Sequence, residues 1–397
     1  MVIAGAGPAG AAAAIRLARA GLRVVAVDRA AFPRDKVCSE YMSPEGVRHL
    51  AALGVLADVE QRGGFPIRGT TVHAPKGSSL TGVFAGAGTA PFRDTGLSVP
   101  RRILDQVLVE AARRAGAHIL ERTAVQTVIR HGGAIRGLVV RDAEGDTRTI
   151  EGRLTIGADG LRSVVARAVG ARRTGPLRRY ALVAHVQAVA GLGDIAEMHV
   201  GGTGYVGLNP LGAELANVAL VLPKAAMPEA TAGLEQFFLH QLGQFPGVRG
   251  RIHPGAIVRP VLVTGPFGAW TRAGVAAGAV TVGDAADFFD PFTGEGICAA
   301  FRGAELIEAT MLEALQSGQP IGLPAVRQYR RARRRTFLGK WIVERLIGYA
   351  MLAPSLFDRA VARLERRGLS HTMIGVTGDF VPARAVLNPI FLTQVIL

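Results

Sequence analysis

Apolar and polar positions along this chain alternate with two periods, and each period predicts its own elements. Val2-Ile3-Ala4 and Val24-Val25-Ala26-Val27 are short unbroken apolar runs, and Ala9–Ala20 between them is apolar at helical spacing. That pattern predicts strand, turn, helix, strand. The stretch after Asp28 is rich in Pro and charge and reads as loop. Ser43 then caps a helix that runs from Pro44 to about Leu53 and stops at Gly54. Residues 65–100 break into short β-type runs, such as Thr70–Ala74 and Leu80–Phe84, separated by Gly and Pro. Arg101 leads into a helix through Ala115, with Leu104, Leu108 and Ala112 on one face. Strands are expected at Ala117–Leu120, Ala124–His131, Ala134–Arg141 and Thr147–Leu154. β character returns at Tyr180–Val189, Glu197–Val200, Gly204–Leu208 and Ala216–Leu222, with a short helix at Phe237–Leu242. These runs predict a mostly antiparallel sheet that walls a pocket. A strand at Val280–Val282 and a helix at Ile297–Leu315 resume the first pattern, so the sheet is an insertion. Helices from Val326 and at Leu356–Arg367, with the Pro-broken apolar tail Phe380–Leu397, are expected to cap the pocket.

Composition narrows this picture. A chain of 397 residues, 49% apolar and with 51 glycines, forms two or three domains or one domain with a large insertion. No apolar run reaches the roughly 18 residues of a transmembrane helix. Arg16, Arg19 and the glycine spacing argue against a secretion signal at the N-terminus. The first strand is short, which leaves two readings, a start further upstream or a clipped strand. Two cysteines, Cys38 and Cys298, exclude a disulfide framework and point to the reducing cytoplasm. The nine histidines show no ligand spacing, so no metal is expected. A net charge of +15 favours anionic partners.

Three stretches carry candidate chemistry. In Gly5-Ala6-Gly7-Pro8-Ala9-Gly10, Gly5 permits the tight turn, Gly7 lets backbone approach a pyrophosphate, and Gly10 lets the helix pack near the strand. A diphosphate fits the helix N-terminus, and Asp28, closing the next strand, lies where an acid meets a ribose hydroxyl. In Leu154–Arg167 a strand ends in Gly157-Ala158-Asp159-Gly160, and Arg162-Ser163 start a helix; an Asp at a strand's carboxyl end suits a ligand in the crevice. In Val280–Ile297 a strand ends in Gly283-Asp284, and the turn Pro291-Phe292-Thr293-Gly294-Glu295-Gly296 leads into a long helix whose N-terminus favours negative charge. Cys38, in a polar loop, either touches a ligand or is a small buried filler.

The helix from Val326 holds Arg327, Arg330, Arg331, Arg333, Arg334, Arg335, Lys340 and Arg345 against one acid, Glu344. Phe337, Leu338, Trp341, Ile342, Leu346 and Tyr349 recur on one side at helical spacing. Docking on the protein's own core, peripheral contact of the 327–345 helix with the anionic inner face of a membrane, and nucleic-acid binding are the three readings. No aromatic-interleaved platform supports the last, so no nucleic-acid partner is expected.

The three stretches, in this order, resemble the FAD-dependent oxidoreductases built like para-hydroxybenzoate hydroxylase. Lys36-Val37-Cys38 before Ser43-Pro44, and Gly204–Gly212 with Asn217-Val218 after it, resemble the geranylgeranyl reductase branch. The Trp-x-Trp-x-Ile-Pro signature of the halogenase relatives is absent. The resemblance implies an α/β fold: a Rossmann-type, glutathione reductase-like FAD domain, an inserted mostly antiparallel substrate domain, and a C-terminal helical region. The implied division is 1–64, 99–175 and 266–325 for the FAD domain, 65–98 and 176–265 for the substrate domain, and 326–397 for the cap. It implies that Gly5, Gly7, Pro8, Ala9, Gly10, Asp28 and Arg29 hold the ADP half of FAD, that Arg101 meets the cofactor, and that Val125 faces the adenine. Asp159 would lie near the diphosphate and Asp284 on the ribityl chain, with Pro291, Gly294, Glu295, Gly296 and Ile297 around the isoalloxazine. Cys38 would stand on the pocket side of the flavin and, with Tyr205, is a catalytic candidate. Glu40, Tyr41 and Asp287 are further acid–base candidates. NAD(P)H would bind only transiently, because no second dinucleotide fingerprint follows a strand; Gly201-Gly202-Thr203-Gly204 lies in β-rich sequence. The expected substrate is a hydrophobic small molecule. The reaction is reduction of an alkene, or hydroxylation of an aromatic or polyketide through a C4a-hydroperoxide. A flavin electron-transfer protein without turnover is the reading from another class.

Overall fold

The computed structural model describes the chain except residues 171, 203, 228–232, 272–275 and 397. Thr203 of the Gly201–Gly204 stretch and the last residue of the apolar tail thus lie outside the described residues.

The chain opens with β1 (Val2–Ala4), α1 (Pro8–Arg19) and β2 (Val25–Val27), as the apolar pattern predicts. Pro8 sits in the first helical turn, where its missing N–H is no loss. Next come β3 (Tyr41–Met42), α2 (Pro44–Ala52), α3 (Leu56–Gln61), β4 (Phe65–Ile67), β5 (Gly69–His73), β6 (Ser79–Val83) and β7 (Gly96–Ser98). The nucleotide-type fold resumes with α4 (Arg101–Arg114), β8 (His118–Leu120), β9 (Ala124–His131), β10 (Ala134–Arg141), β11 (Thr147–Glu151), β12 (Thr155–Gly157) and α5 (Val164–Ala168). The large sheet follows: β13 (Arg172–Gln187), β14 (Ile195–Val200), β15 (Tyr205–Pro210), β16 (Leu215–Pro223), α6 (Leu234–Leu242) and β17 (Ile257–Thr271). The chain ends with β18 (Ala279–Thr281), β19 (Asp287–Phe288), α7 (Gly296–Gln316), α8 (Leu323–Ala350), α9 (Pro354–Arg366), α10 (Ser370–Thr377) and α11 (Pro389–Ile396).

Among the described residues, β18-β12-β1-β2-β8 form an all-parallel sheet. Alternate residues of its strands serve two cores. Ile3, Ala26, Ile156 and Val280 pack under α1, α4 and α7, while Val2, Ala4, Val27 and Ala279 pack on the β9-β10-β11 sheet. Strand ends that carry the Gly and Asp motifs therefore meet along one edge, the usual ligand crevice of such folds.

The second large sheet runs β19-β17-β13-β16-β15-β14-β5-β6, antiparallel except where β14 meets β5. Its period of two is legible in β13: Leu182, Ala184 and Val186 face α6, and Ala181 and Val183 face the C-terminal helices. This sheet reaches beyond the expected 176–265, because β13 and β17 extend to Arg172 and Thr271 and β19 pairs with β17. Phe357, Val361, Leu364, Ile374, Val381 and Phe391 of the C-terminal region cover its inner face.

The core-docking reading of α8 is corrected in part. Val326, Tyr329, Phe337 and Val343 face inward, but Leu338, Ile342, Leu346 and Tyr349 are exposed. The apolar side read from spacing is therefore largely the outer side, and helical periodicity alone cannot tell which stripe meets the core.

Candidate active site

The nucleotide end is built from backbone first. Gly5 has φ 92°, and a Cβ there would lie 2.5 Å from the Ala158 carbonyl oxygen. A Cβ on Gly10 would sit 1.8 Å from the Gly5 carbonyl oxygen, so the helix and strand approach only because both are glycine. A Cβ on Gly7 would point to the guanidinium groups of Arg34 and Arg101, at 3.2 and 3.8 Å. Arg101 forks onto Asp105 through two 2.8 Å bonds, and Arg34 lies 3.2 Å from Asp105 and 3.9 Å from Asp28. Nε and Nη1 of Arg34 are buried without a partner. Burial, and then the charges of Arg34, Arg101 and Arg29, lower the pKa of Lys36. Crowded cations at a helix N-terminus, with unsatisfied donors, fit a diphosphate. The adenosine half of FAD fits the same crevice. Asp28, expected to meet the ribose, accepts the Ala6 and Ala30 N–H groups at 2.9 Å each and so shapes the turn. Arg29 is exposed beside it, and Val125 is half-buried on β9.

The other two motifs close on this one. Asp159 accepts the Val164 N–H at 2.6 Å, leaves Oδ1 buried and unpartnered, and is pushed up in pKa by burial. Ser163 caps α5 by accepting the Ala166 N–H at 2.8 Å. A Cβ on Gly283 would lie 2.9 Å from Ala9, which packs the Gly-Asp turn against α1. Burial raises Asp284 to about 6, and Arg101 and Lys36 oppose that rise. Thus the residues expected to hold diphosphate and ribityl chain share one electrostatic site.

The turn before α7 is fixed by side chains from the large sheet. Asp290 accepts the Phe292 N–H at 3.0 Å and caps the turn Pro291–Thr293. Tyr205 donates its hydroxyl to Asp290 at 2.5 Å, and Arg179 pairs with the other carboxylate oxygen at 2.5 Å. Tyr205 is buried with its proton committed to Asp290, so the structure assigns it to positioning this turn rather than to proton delivery. Gly294 has φ 72°, and a Cβ there would strike the Tyr41 ring at 2.7 Å. Gly296 and Ile297 open α7, which has no acid in its first turn. Glu295, at the cap position, turns inward: Oε2 accepts from Ser43 at 3.2 Å, and Oε1 is buried without a partner. Burial raises Glu295 to about 7 against the pull of Lys340.

Cys38 occupies the loop between the two large sheets. Burial raises its thiol pKa, with Arg101 opposing, so the thiol is the stable form. Its sulfur accepts the Glu40 N–H at 3.3 Å. Asn217 donates to the Cys38 carbonyl at 2.9 Å and Asn209 to the Ser39 carbonyl at 2.9 Å. Glu40 has φ 60° and is wholly buried; it accepts the Arg101 N–H at 2.8 Å, Asn217 at 2.8 Å and His185 at 2.6 Å. Arg259 lies 3.5 Å from Glu40 and 3.7 Å from Asp35. Sequence reading missed His185 and Arg259 entirely; Asn209 and Asn217 stood only inside the resembling stretches. None of the acid–base candidates is unengaged: Glu40 is saturated, Asp287 pairs with Arg333, and Tyr41 is buried beside Glu295.

An apolar layer borders this site. Val183, Tyr205, Val221 and Phe267 of the sheet face Val343, Met351 and Phe357 of the helices. Phe292 of the α7 turn joins them, edge-on to Tyr205 at 5.2 Å and to Phe357 at 6.4 Å. The surface grooves along Thr310, Pro324 and Arg331, and along Arg16 and Glu308, lie elsewhere, on outer faces of α7 and α8. One group of metal-type side chains comes together among the described residues, His73, Glu197 and His199. The two imidazoles stack 4.4 Å apart at 7°, His199 Nε2 lies 2.7 Å from Glu197, and Arg251 takes both Glu197 oxygens at 2.6 and 2.9 Å. That geometry engages Glu197 in an ion-pair network.

Comparison with known proteins agrees with the geometry. The family model described as FAD binding domain matches residues 1–233, and the chain belongs to that family. It is an FAD-dependent oxidoreductase of the superfamily typified by para-hydroxybenzoate hydroxylase. Within it, the chain resembles the geranylgeranyl reductase branch. It is 29% identical over 355 residues to the digeranylgeranylglycerophospholipid reductase of Methanothrix thermoacetophila, covering 87% of this chain and 85% of that one. A geranylgeranyl bacteriochlorophyll reductase-like protein of Thermoplasma acidophilum superposes with a TM-score of 0.77 at 20% identity, covering 99% of this chain and 97% of that one. The myxobacterial chondrochloren halogenase superposes at 0.81 with 23% identity, covering 99% and 92%, a likeness of fold alone.

Proposed function

We propose that this protein reduces a carbon–carbon double bond in a hydrophobic, prenyl-type substrate, with the flavin recharged by NAD(P)H or another donor. The observation that carries the reading is Cys38: a thiol kept protonated by burial, on a loop pinned from the sheet by Asn217 and Asn209, with the Glu40 N–H on its sulfur, between Arg101 and the substrate domain. Similarity to a reductase of geranylgeranyl groups supports it.

Bound FAD supplies hydride chemistry that no side chain has. Arg34, Arg101 and Lys36 would hold its diphosphate, and Asp284 would bond the ribityl chain. Backbone N–H groups at the start of α7 would favour negative charge on the ring, through the helix dipole. Asp290, Tyr205 and Arg179 lock the turn that carries those groups. Alkene reduction adds a hydride to one carbon and a proton to the other. In this reading the Cys38 Sγ–H gives that proton, and the apolar layer around Phe292, Phe357 and Val221 would keep water from the substrate.

The test is anaerobic turnover of polyprenyl alkenes by dithionite-reduced holoenzyme, read by mass spectrometry. The expected product gains two hydrogens, and Cys38→Ala slows the reaction by about two to four orders of magnitude, the range for a general acid, while keeping its FAD. A product that gains an oxygen atom, formed only in air, would overturn the reading in favour of hydroxylation.

A further inference from the structure

The outer strip of α8 has two halves. Arg327, Arg331, Arg334 and Arg335 are exposed along the first. Leu338, Ile342, Leu346 and Tyr349 are 43, 41, 51 and 46% exposed along the second. At the helical repeat these eight positions fall within about a third of the circumference. Leu352 and Leu356, 57 and 44% exposed, carry the apolar surface round the turn into α9. Single exposed leucines are ordinary, but a continuous strip of six large apolar side chains is not.

The opposite side of α8 is already committed. Val326, Tyr329, Phe337 and Val343 are buried there. Lys340 is turned in toward Asp379 and Glu295. Glu344, the one acid of the helix, faces Lys340, Asp287 and Asp290 on that side, so the outer strip carries no negative charge. The strip is thus apolar at one end and purely cationic at the other.

A second copy of the chain complements this poorly. In a two-fold pair the strip would meet itself, setting arginines against arginines or against leucines. A lipid surface complements both ends at once, with the apolar end entering the headgroup–acyl boundary and the guanidinium groups meeting lipid phosphates. No helix among the described residues is long and apolar enough to cross a membrane, so the attachment would be to the interface. We propose that the outer strip of α8, from Arg327 to Tyr349 and on to Leu356, docks the protein on an anionic bilayer.

The experiment is flotation of FAD-loaded protein with vesicles of phosphatidylcholine alone or mixed with phosphatidylglycerol. Flotation is expected with the mixed vesicles, weak with phosphatidylcholine, and reduced by high salt. Arg331→Gln with Arg334→Gln is expected to weaken binding by about 25-fold, about fivefold per arginine. Ile342→Glu with Leu346→Glu is expected to abolish it at any salt. These side chains are exposed, so FAD content and melting temperature should stay at wild-type values and report that each variant is folded. No flotation with anionic vesicles, or flotation untouched by either pair, would overturn the proposal. So would a dimer, seen by light scattering, that Ile342→Glu with Leu346→Glu disperses: the strip would then belong to a second copy.

Discussion

Replacing Glu40 by alanine tests how the Cys38 loop is held. Its carboxylate is fully buried and accepts three hydrogen bonds, from the Arg101 N–H, Asn217 and His185, with Arg259 at 3.5 Å. Hydrogen bonds to a buried charge contribute about 1.5–3 kcal/mol each, but bonds to one group do not add. Removing one partner of a buried charge cluster costs about 3–5 kcal/mol, because the remaining donors stay dry and unpaired. The loss applies to the joint between the loop, the start of α4 and the large sheet, so the first domain unfolds more easily. For a chain of this size, that lowers the apparent melting temperature by about 5–10 °C. Arg101, the residue proposed to meet the diphosphate, is held by the same joint, so FAD affinity should fall with it. Glu40→Gln keeps the shape and one acceptor, and should lose roughly half as much. Differential scanning fluorimetry of apo- and holoprotein, with FAD titration, reads both effects. An alanine variant melting within about 2 °C of wild type and binding FAD equally well would refute the argument that this carboxylate joins the elements.

Two further perturbations bear on the cofactor end. Asp284→Ala should leave the protein folded, by circular dichroism, but weaken FAD about 10- to 150-fold, the loss of one charge-assisted bond; full FAD retention after gel filtration would sink that assignment. Glu295 gives a pH signature. Its carboxyl is raised to about 7 by burial, with Lys340 opposing, Asp379 adding to the rise, and Ser43 and Cys298 bonded nearby. The protonated form is the one the folded chain favours, so this group's contribution is fully present below about pH 4.5 and is lost as pH rises through about 7. In the apoprotein, Glu295→Gln should gain on wild type across that window, by up to roughly 3 kcal/mol; parallel stability curves for the two would show that the carboxyl titrates normally.

What the sequence determined is local. Gly5, Gly7 and Gly10, Asp159 before its turn, and Gly283-Asp284 are legible because each backbone position tolerates few residue types, and the motif repeats that demand in neighbouring residues. The alternation of β13 likewise announces a sheet with two covered faces. What only the tertiary structure decided is which distant side chains meet. Glu40 finds His185 and Asn217 across 145 and 177 residues, and Tyr205 finds Asp290 across 85. No local pattern encodes such pairs, because each partner is an ordinary polar residue within its own segment. The face of α8 was decided the same way. Its spacing gives one apolar stripe with Phe337 and Leu338 adjacent, yet Phe337 is buried and Leu338 is 43% exposed. Periodicity fixes which residues share a side; α7, packed against Val326 and Tyr329, and the large sheet, packed against Val343, fix which side is inside.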